Sequence, residues 1–170
     1  FDWAQAQLGV LKASTSKLIA NNAMQLSLLI TDNYNLDTTE IAMRIFANAD
    51  LLYYQQKYDD AIIKYNSVLT RFTGHSLSDE IYMRIGSIYL KNGKIEEALA
   101  NYKRIEENWS YDILADDAIY KRAKIYDDIL KNPVLAMKLY EQILLEHNSS
   151  IYVAESRKRF RYLRGDNLKK

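Results

Sequence analysis

The sequence predicts an all-α fold, a right-handed α-solenoid of about four antiparallel helical hairpins closed by a terminal capping helix. Three observations predict it. First, Ala49-Asp50-Leu51-Leu52 recurs in kind 37 residues on as Gly86-Ser87-Ile88-Tyr89, and 37 later as Ala123-Lys124-Ile125-Tyr126; each is a small residue with a large apolar one at +3. Second, Ala61 and Tyr65 recur as Ala98 and Tyr102 and as Ala136 and Tyr140, with Val68, Ile105 and Ile143 seven residues after each Ala. Two apolar patterns per unit, at i, i+3/i+4 and i+7, indicate two amphipathic helices. Third, 5 Gly and 1 Pro in 170 residues are too few turn-formers for a β-rich fold.

Taken in order, the pattern predicts helices over 2–13, 16–32, 38–55, 58–72, 77–91, 94–108, 113–130, 133–147 and 151–164. Residues 1–37 read as a degenerate first hairpin: Ala4, Leu8 and Leu11 mark one helix, and Ala20, Ala23, Ser27 and Ile30 the other. Ser14-Thr15-Ser16 suits the turn between them as an N-cap. Asp32-Asn33-Tyr34-Asn35 reads as a loop. Repeats follow over 38–74, 75–111 and 112–150 in one domain of residues 1–170. The third unit is one residue longer, and Lys131-Asn132-Pro133 is the expected place for the extra residue. The small residues belong where helices cross, because axes only about 8–10 Å apart favour Gly or Ala there. Over 151–164, Tyr152, Ser156, Phe160 and Leu163 share one face and suit a cap, while Arg157, Arg161 and Arg164 form a stripe on another. Gly165 is the expected helix stop, ahead of a tail over 165–170.

The pattern over about 38–147 resembles the tetratricopeptide repeat. Ile85-Gly86, Tyr89, Ala98 and Tyr102 match its two helices, as do Ala123, Tyr126, Ala136 and Tyr140. Ile45, Tyr82 and Ile119 stand where the family has Trp, and no unit has the closing Pro. The segments His75-Ser76-Leu77-Ser78-Asp79-Glu80 and Tyr111-Asp112-Ile113-Leu114-Ala115-Asp116-Asp117-Ala118 are similar to repeats of bacterial envelope proteins, the lipoprotein of the β-barrel assembly machinery and the Tol–Pal coordinator. That likeness favours the bacterial periplasm or envelope over the cytoplasm. The start at Phe1-Asp2-Trp3, without Met, reads as the C-terminal part of a longer protein.

Composition narrows the function. The formal net charge is +1, which disfavours a nucleic-acid binder overall; yet residues 157–170 hold seven Lys/Arg and one Asp, a basic tail on an acidic body. No Cys excludes thiolate metal sites. No apolar run reaches the roughly 20 residues of a membrane span. His75 and His147 fall in equivalent inter-repeat turns without a second ligand at metal spacing. Asp59-Asp60 and Glu96-Glu97 stand at helix starts, where acids favour the dipole. Neither catalysis nor a cofactor is expected, and no motif for nucleotide or acyl chemistry occurs.

The resemblance implies a concave groove lined by the first helix of each hairpin. Aligned on Ala49, Gly86 and Ala123, its positions fall on Met43, Phe46, Asp50 and Tyr53; on Glu80, Met83, Ser87 and Leu90; and on Asp117, Tyr120, Lys124 and Asp127. The large apolar members suggest side-chain pockets, and the carboxylates suggest a basic partner. The expected function is therefore a non-catalytic interaction scaffold that binds a peptide or protein of apolar and basic character. An architectural spacer in an envelope protein is the alternative. Contact with nucleic acid or anionic lipid through Arg157, Arg161 and Arg164 is a lesser one.

Overall fold

The computed structural model describes residues 1–34 and 40–166. The expected start of the third helix at 38, and the tail lysines Lys169 and Lys170, lie outside the described residues. Among those described, nine α-helices and one π turn form, and there is no strand. The chain divides into two compact units, Phe1–Ser78 and Asp79–Lys170.

The first unit holds α1 (Asp2–Lys12), α2 (Lys17–Tyr34), α3 (Ile41–Tyr54) and α4 (Tyr58–Arg71), paired as two hairpins. The expected loop at 32–34 is helical, and its polar residues are held locally. The Asn33 side chain donates to the Leu29 carbonyl at 2.9 Å and accepts from Ser76 at 2.6 Å. A residue whose side chain finds partners in its own helix and further along the chain can remain in a helix. The core of the α3–α4 hairpin is Phe46 packed on Tyr65, 5.7 Å between ring centroids, with Ala49 and Ala61 fully buried.

The second unit holds α5 (Ser78–Lys91), α6 (Ile95–Asn108), α7 (Ala115–Lys124) running into the π turn Ile125–Ile129, then α8 (Pro133–Glu146) and α9 (Val153–Arg164). One apolar cluster centres on Ala98, Tyr102, Ile105 and Ala118. Another centres on Ile119, Ala123, Ala136 and Tyr140 and is covered by Tyr152, Phe160 and Leu163 from the terminal segment. At the α5–α6 crossing a Cβ on Gly86 would stand 2.7 Å from a ring carbon of Tyr102, so only Gly admits that approach.

The hairpin turns share one geometry. Gln56, Gly93 and Lys131 adopt left-handed φ values of 61°, 72° and 49°, and the next helix begins two residues later in each case. The third connection therefore has the same length as the other two, and the extra residue is not in Lys131-Asn132-Pro133. It lies in the preceding helix, as the π turn. Lys57 and Lys94 donate to carbonyls five residues back, Leu52 and Tyr89, whereas Asn132 reaches six back to Tyr126. A π turn is how a helix absorbs one residue without breaking.

Candidate partner-binding site

Each of the last three hairpins buries a tyrosine at one place in its second helix: Tyr65, Tyr102 and Tyr140. A buried phenol needs a partner for its hydroxyl. Tyr65 donates to Asp50, and the Tyr102 hydroxyl lies 3.1 Å from Ser87 Oγ. Asp50 and Ser87 follow the small residues Ala49 and Gly86. The third hairpin has Lys124 at that place, and an ammonium accepts no hydrogen bond. Tyr140 donates instead to Asp127 at 3.0 Å, which the π turn brings within reach. Asp127 also accepts two bonds from Arg159 of α9, at 2.8 and 2.7 Å. Burial pushes the Asp127 carboxyl upward, but the bonds from Arg159 and Tyr140 outweigh it and hold the group below the usual range.

Lys124 is thereby left at the surface, where it pairs with Asp128 at 2.5 Å. Beside it opens a cavity of about 310 Å³. Leu90 of α5, Tyr120 and Lys121 of α7, Ile125 and Ile129 of the π turn, and Tyr152 ahead of α9 line it with Lys124 and Asp128. Tyr120 and Tyr152 stack at 4.1 Å and 11°, and the Tyr152 hydroxyl donates to Asp117 at 2.5 Å. The walls are mainly apolar, with two lysines and one carboxylate around them. That chemistry suits an apolar side chain entering from a partner.

Residues 80–110 and 117–150 match the family model described as tetratricopeptide repeat. These two segments are similar to tetratricopeptide repeats. Among curated proteins none matches the chain significantly by sequence. A solved tetratricopeptide repeat protein from Parabacteroides merdae ATCC 43184 shares the fold, with a TM-score of 0.58 at 19% identity; the likeness covers 97% of this chain and 60% of that one. The chain thus spans 60% of the length of that relative. Tetratricopeptide repeats generally mediate protein–protein contacts and typically act as scaffolds without catalysis.

Within this repeat frame the expected groove residues have different fates. Leu90, Tyr120 and Lys124 line one cavity. Met43, Phe46 and Met83 are buried and open to no ligand. The reason is periodicity: Met43, Phe46 and Asp50 run at i, i+3 and i+7 beside Ala42 and Ala49, all on the buried stripe of α3. Tyr53 is half-buried between the rings of Tyr54 and Tyr58. Ser87 is committed to Tyr102 and to the Met83 carbonyl.

The expected acidic lining is also absent at these positions. Asp50 and Asp127 are buried against tyrosines. Glu80 is pushed up to about 9, first by burial and then by the neighbouring Asp79. Asp117 is raised by burial, though the Tyr152 bond opposes this.

On α9, Arg161 and Arg164 both lean on Asp166, at 3.5 and 2.5 Å, and Arg157 is exposed. Gly165 stops the helix at φ 90°. His75 and His147 occupy different places in their turns: Leu77 donates its amide to His75 Nδ1 at 3.1 Å, whereas His147 is the C-cap of α8. Among the described residues no group of three His, Cys, Asp or Glu could hold a metal, and no helix is long and apolar enough to cross a membrane.

Sequence reasoning missed Lys121, Ile125, Asp128, Ile129, Tyr152 and Arg159. The usable signal was the spacing of 38 rather than 37 from Ala98 to Ala136, together with a Lys where the other repeats place an acceptor for tyrosine.

Proposed function

We propose that this chain is a non-catalytic protein-interaction module whose second unit takes an apolar side chain of a peptide or protein partner into the cavity beside the π turn. The observation that carries this reading is the convergence of Leu90, Tyr120, Ile125, Ile129 and Tyr152 on one open, mainly apolar recess of about 310 Å³ within a pair of tetratricopeptide repeats. Each repeat would contribute a wall, and the stacked tyrosines would keep the recess preformed, which lowers the ordering cost of binding. The reading keeps the expected apolar anchor and drops the basic preference, because the carboxylates behind that preference serve the interior. It does not depend on the compartment.

The test is selection from a random peptide library against the wild type and a Tyr120→Ala, Ile129→Asp double variant. Selected peptides should share one large apolar residue, and their binding to the variant should weaken by about 1–3 kcal/mol per lost anchor. Peptides that bind both proteins equally would refute the cavity as the site.

A further inference from the structure

The cavity beside the π turn has apolar walls, but its rim carries charge, and the charges are not all balanced. Lys121, Lys124 and Asp128 line it. Lys124 and Asp128 neutralise each other as an i,i+4 pair at 2.5 Å. Behind them Asp127 is occupied by Arg159 and by the Tyr140 hydroxyl. Lys121 remains. In a regular helix its partner would be Asp117, four residues earlier on α7. That carboxylate serves the Tyr152 hydroxyl instead, which donates to it at 2.5 Å. The charge of Lys121 still lowers the Asp117 carboxyl, but among the described residues no ion pair or hydrogen bond holds the Lys121 ammonium. Glu155 of α9 is felt by the Tyr120 phenol, yet it does not line the cavity.

The recess therefore combines apolar walls with one uncompensated ammonium at its edge. The contact that fixes one wall, Tyr152 on Asp117, is also what withholds the carboxylate from Lys121. Lys121 is half-buried, so its charge is screened less than that of a fully solvated lysine. A partner that seats an apolar side chain against Tyr120 and Ile129 brings its neighbouring residues to this rim. A basic neighbour would be repelled there, whereas a carboxylate would supply the missing half of an ion pair. Charge of this kind at a rim sets specificity more than raw affinity.

On the reading that this cavity is the partner site, we propose that it selects a peptide whose apolar anchor is flanked by an acidic side chain, Asp or Glu, and that the carboxylate pairs with Lys121. The recess is open, so the peptide can run on past it, and the acid is a side chain and not a chain end. A single ammonium is a compact charge with three donors and imposes no fork geometry, so it accepts either acid. Lys121 thus chooses among anchors that the apolar walls alone would bind equally.

The random peptide library tests this when its selected pool is read at the positions beside the anchor. On the full wild-type chain, Asp and Glu should be enriched there over Lys and Arg; on Lys121→Glu the preference should reverse. For single selected peptides, Lys121→Gln should raise Kd about 3–5-fold. Replacing the flanking Glu of the peptide by Gln should cost the same, and the two changes together no more than either alone. The peptide change needs no protein variant, so it holds even if a substitution disturbs folding. Added salt should weaken binding of the Glu peptide and spare its Gln counterpart. Amidating the peptide's C-terminus should change nothing. Peptides that depend on Tyr120 and Ile129 but show no acidic enrichment, or whose acid is indifferent to Lys121→Gln, overturn the proposal and leave the cavity standing as the site. Enrichment of basic residues, or loss of binding on amidation, overturns it equally. Peptides indifferent to Tyr120→Ala with Ile129→Asp overturn the cavity reading itself, and the proposal with it.

Discussion

Gly86 and Tyr102 set each other's limits. Gly in a helix interior costs about 1 kcal/mol relative to Ala, so Gly86→Ala should stabilise α5 by propensity alone. The new methyl would lie 2.7 Å from a ring carbon of the fully buried Tyr102, which has no space to yield. Overpacking of this kind costs about 1–3 kcal/mol, so the expected net effect is a loss of up to about 2 kcal/mol in a urea melt. A gain would show that the ring can retreat. Glu80 gives a second residue-level expectation. Burial first, then the bond and charge of Asp79, raise its carboxyl from 4.5 to about 9. The folded chain thus holds a proton that the unfolded chain releases at lower pH. The associated stability is complete below about pH 4.5 and is lost as pH climbs through about 9. Glu80→Gln should flatten that decline, measured as denaturation midpoints from pH 5 to 10. An unchanged slope would place the effect elsewhere.

At the scale of the element, the π turn decides what the third repeat displays. A regular helix would set Lys124 against the Tyr140 hydroxyl and bury an ammonium beside a phenol without an acceptor. The extra residue substitutes Asp127, which also ties down Arg159 of α9. Deleting Asp128 restores the 37-residue spacing and should straighten α7. Tyr140 then loses its acceptor and Arg159 its carboxylate, at a cost of about 2–3 kcal/mol. Adding Lys124→Asp to the deletion supplies the acceptor that Asp50 gives the first repeat, and should recover part of that loss without restoring the cavity. Chemical denaturation of the three proteins checks the order. A neutral deletion would mean that the π turn is incidental to packing.

Across the whole chain each unit has its own apolar core, and the second is closed by α9. Repeat stacks need an end whose outer face tolerates water. The packed residues are Tyr152 ahead of α9 and Val153, Phe160 and Leu163 on it, and the outward ones are Arg157, Lys158 and Arg161. Truncation after Ser150 should expose Ile119, Leu139 and Ile143, lower unit stability by on the order of 3–5 kcal/mol and promote aggregation. Light scattering and thermal melts would reveal both. A truncated chain that stays monomeric and equally stable would remove α9 from the capping role.

The sequence alone determined the helices, their pairing into hairpins and the small residues at the crossings. These follow from local periodicity, and helix length, turn position and buried stripe all reflect the 3.6-residue repeat. Ala49, Gly86, Ala61, Ala98 and Ala136 were legible for that reason, and so was the capping face of α9. Only the tertiary structure decided which apolar residues remain open. Met43 and Phe46 satisfy the pattern of a groove and of a core equally well, and neighbouring helices chose the core. The same holds for charge. Asp127, Arg159 and Tyr140 are distant in the chain, and nothing local links them; their contact depends on one inserted residue turning a helix by part of a revolution. The cavity at Tyr120, Ile129 and Tyr152 exists because three elements meet there, and a meeting of elements is set by packing geometry rather than by local sequence.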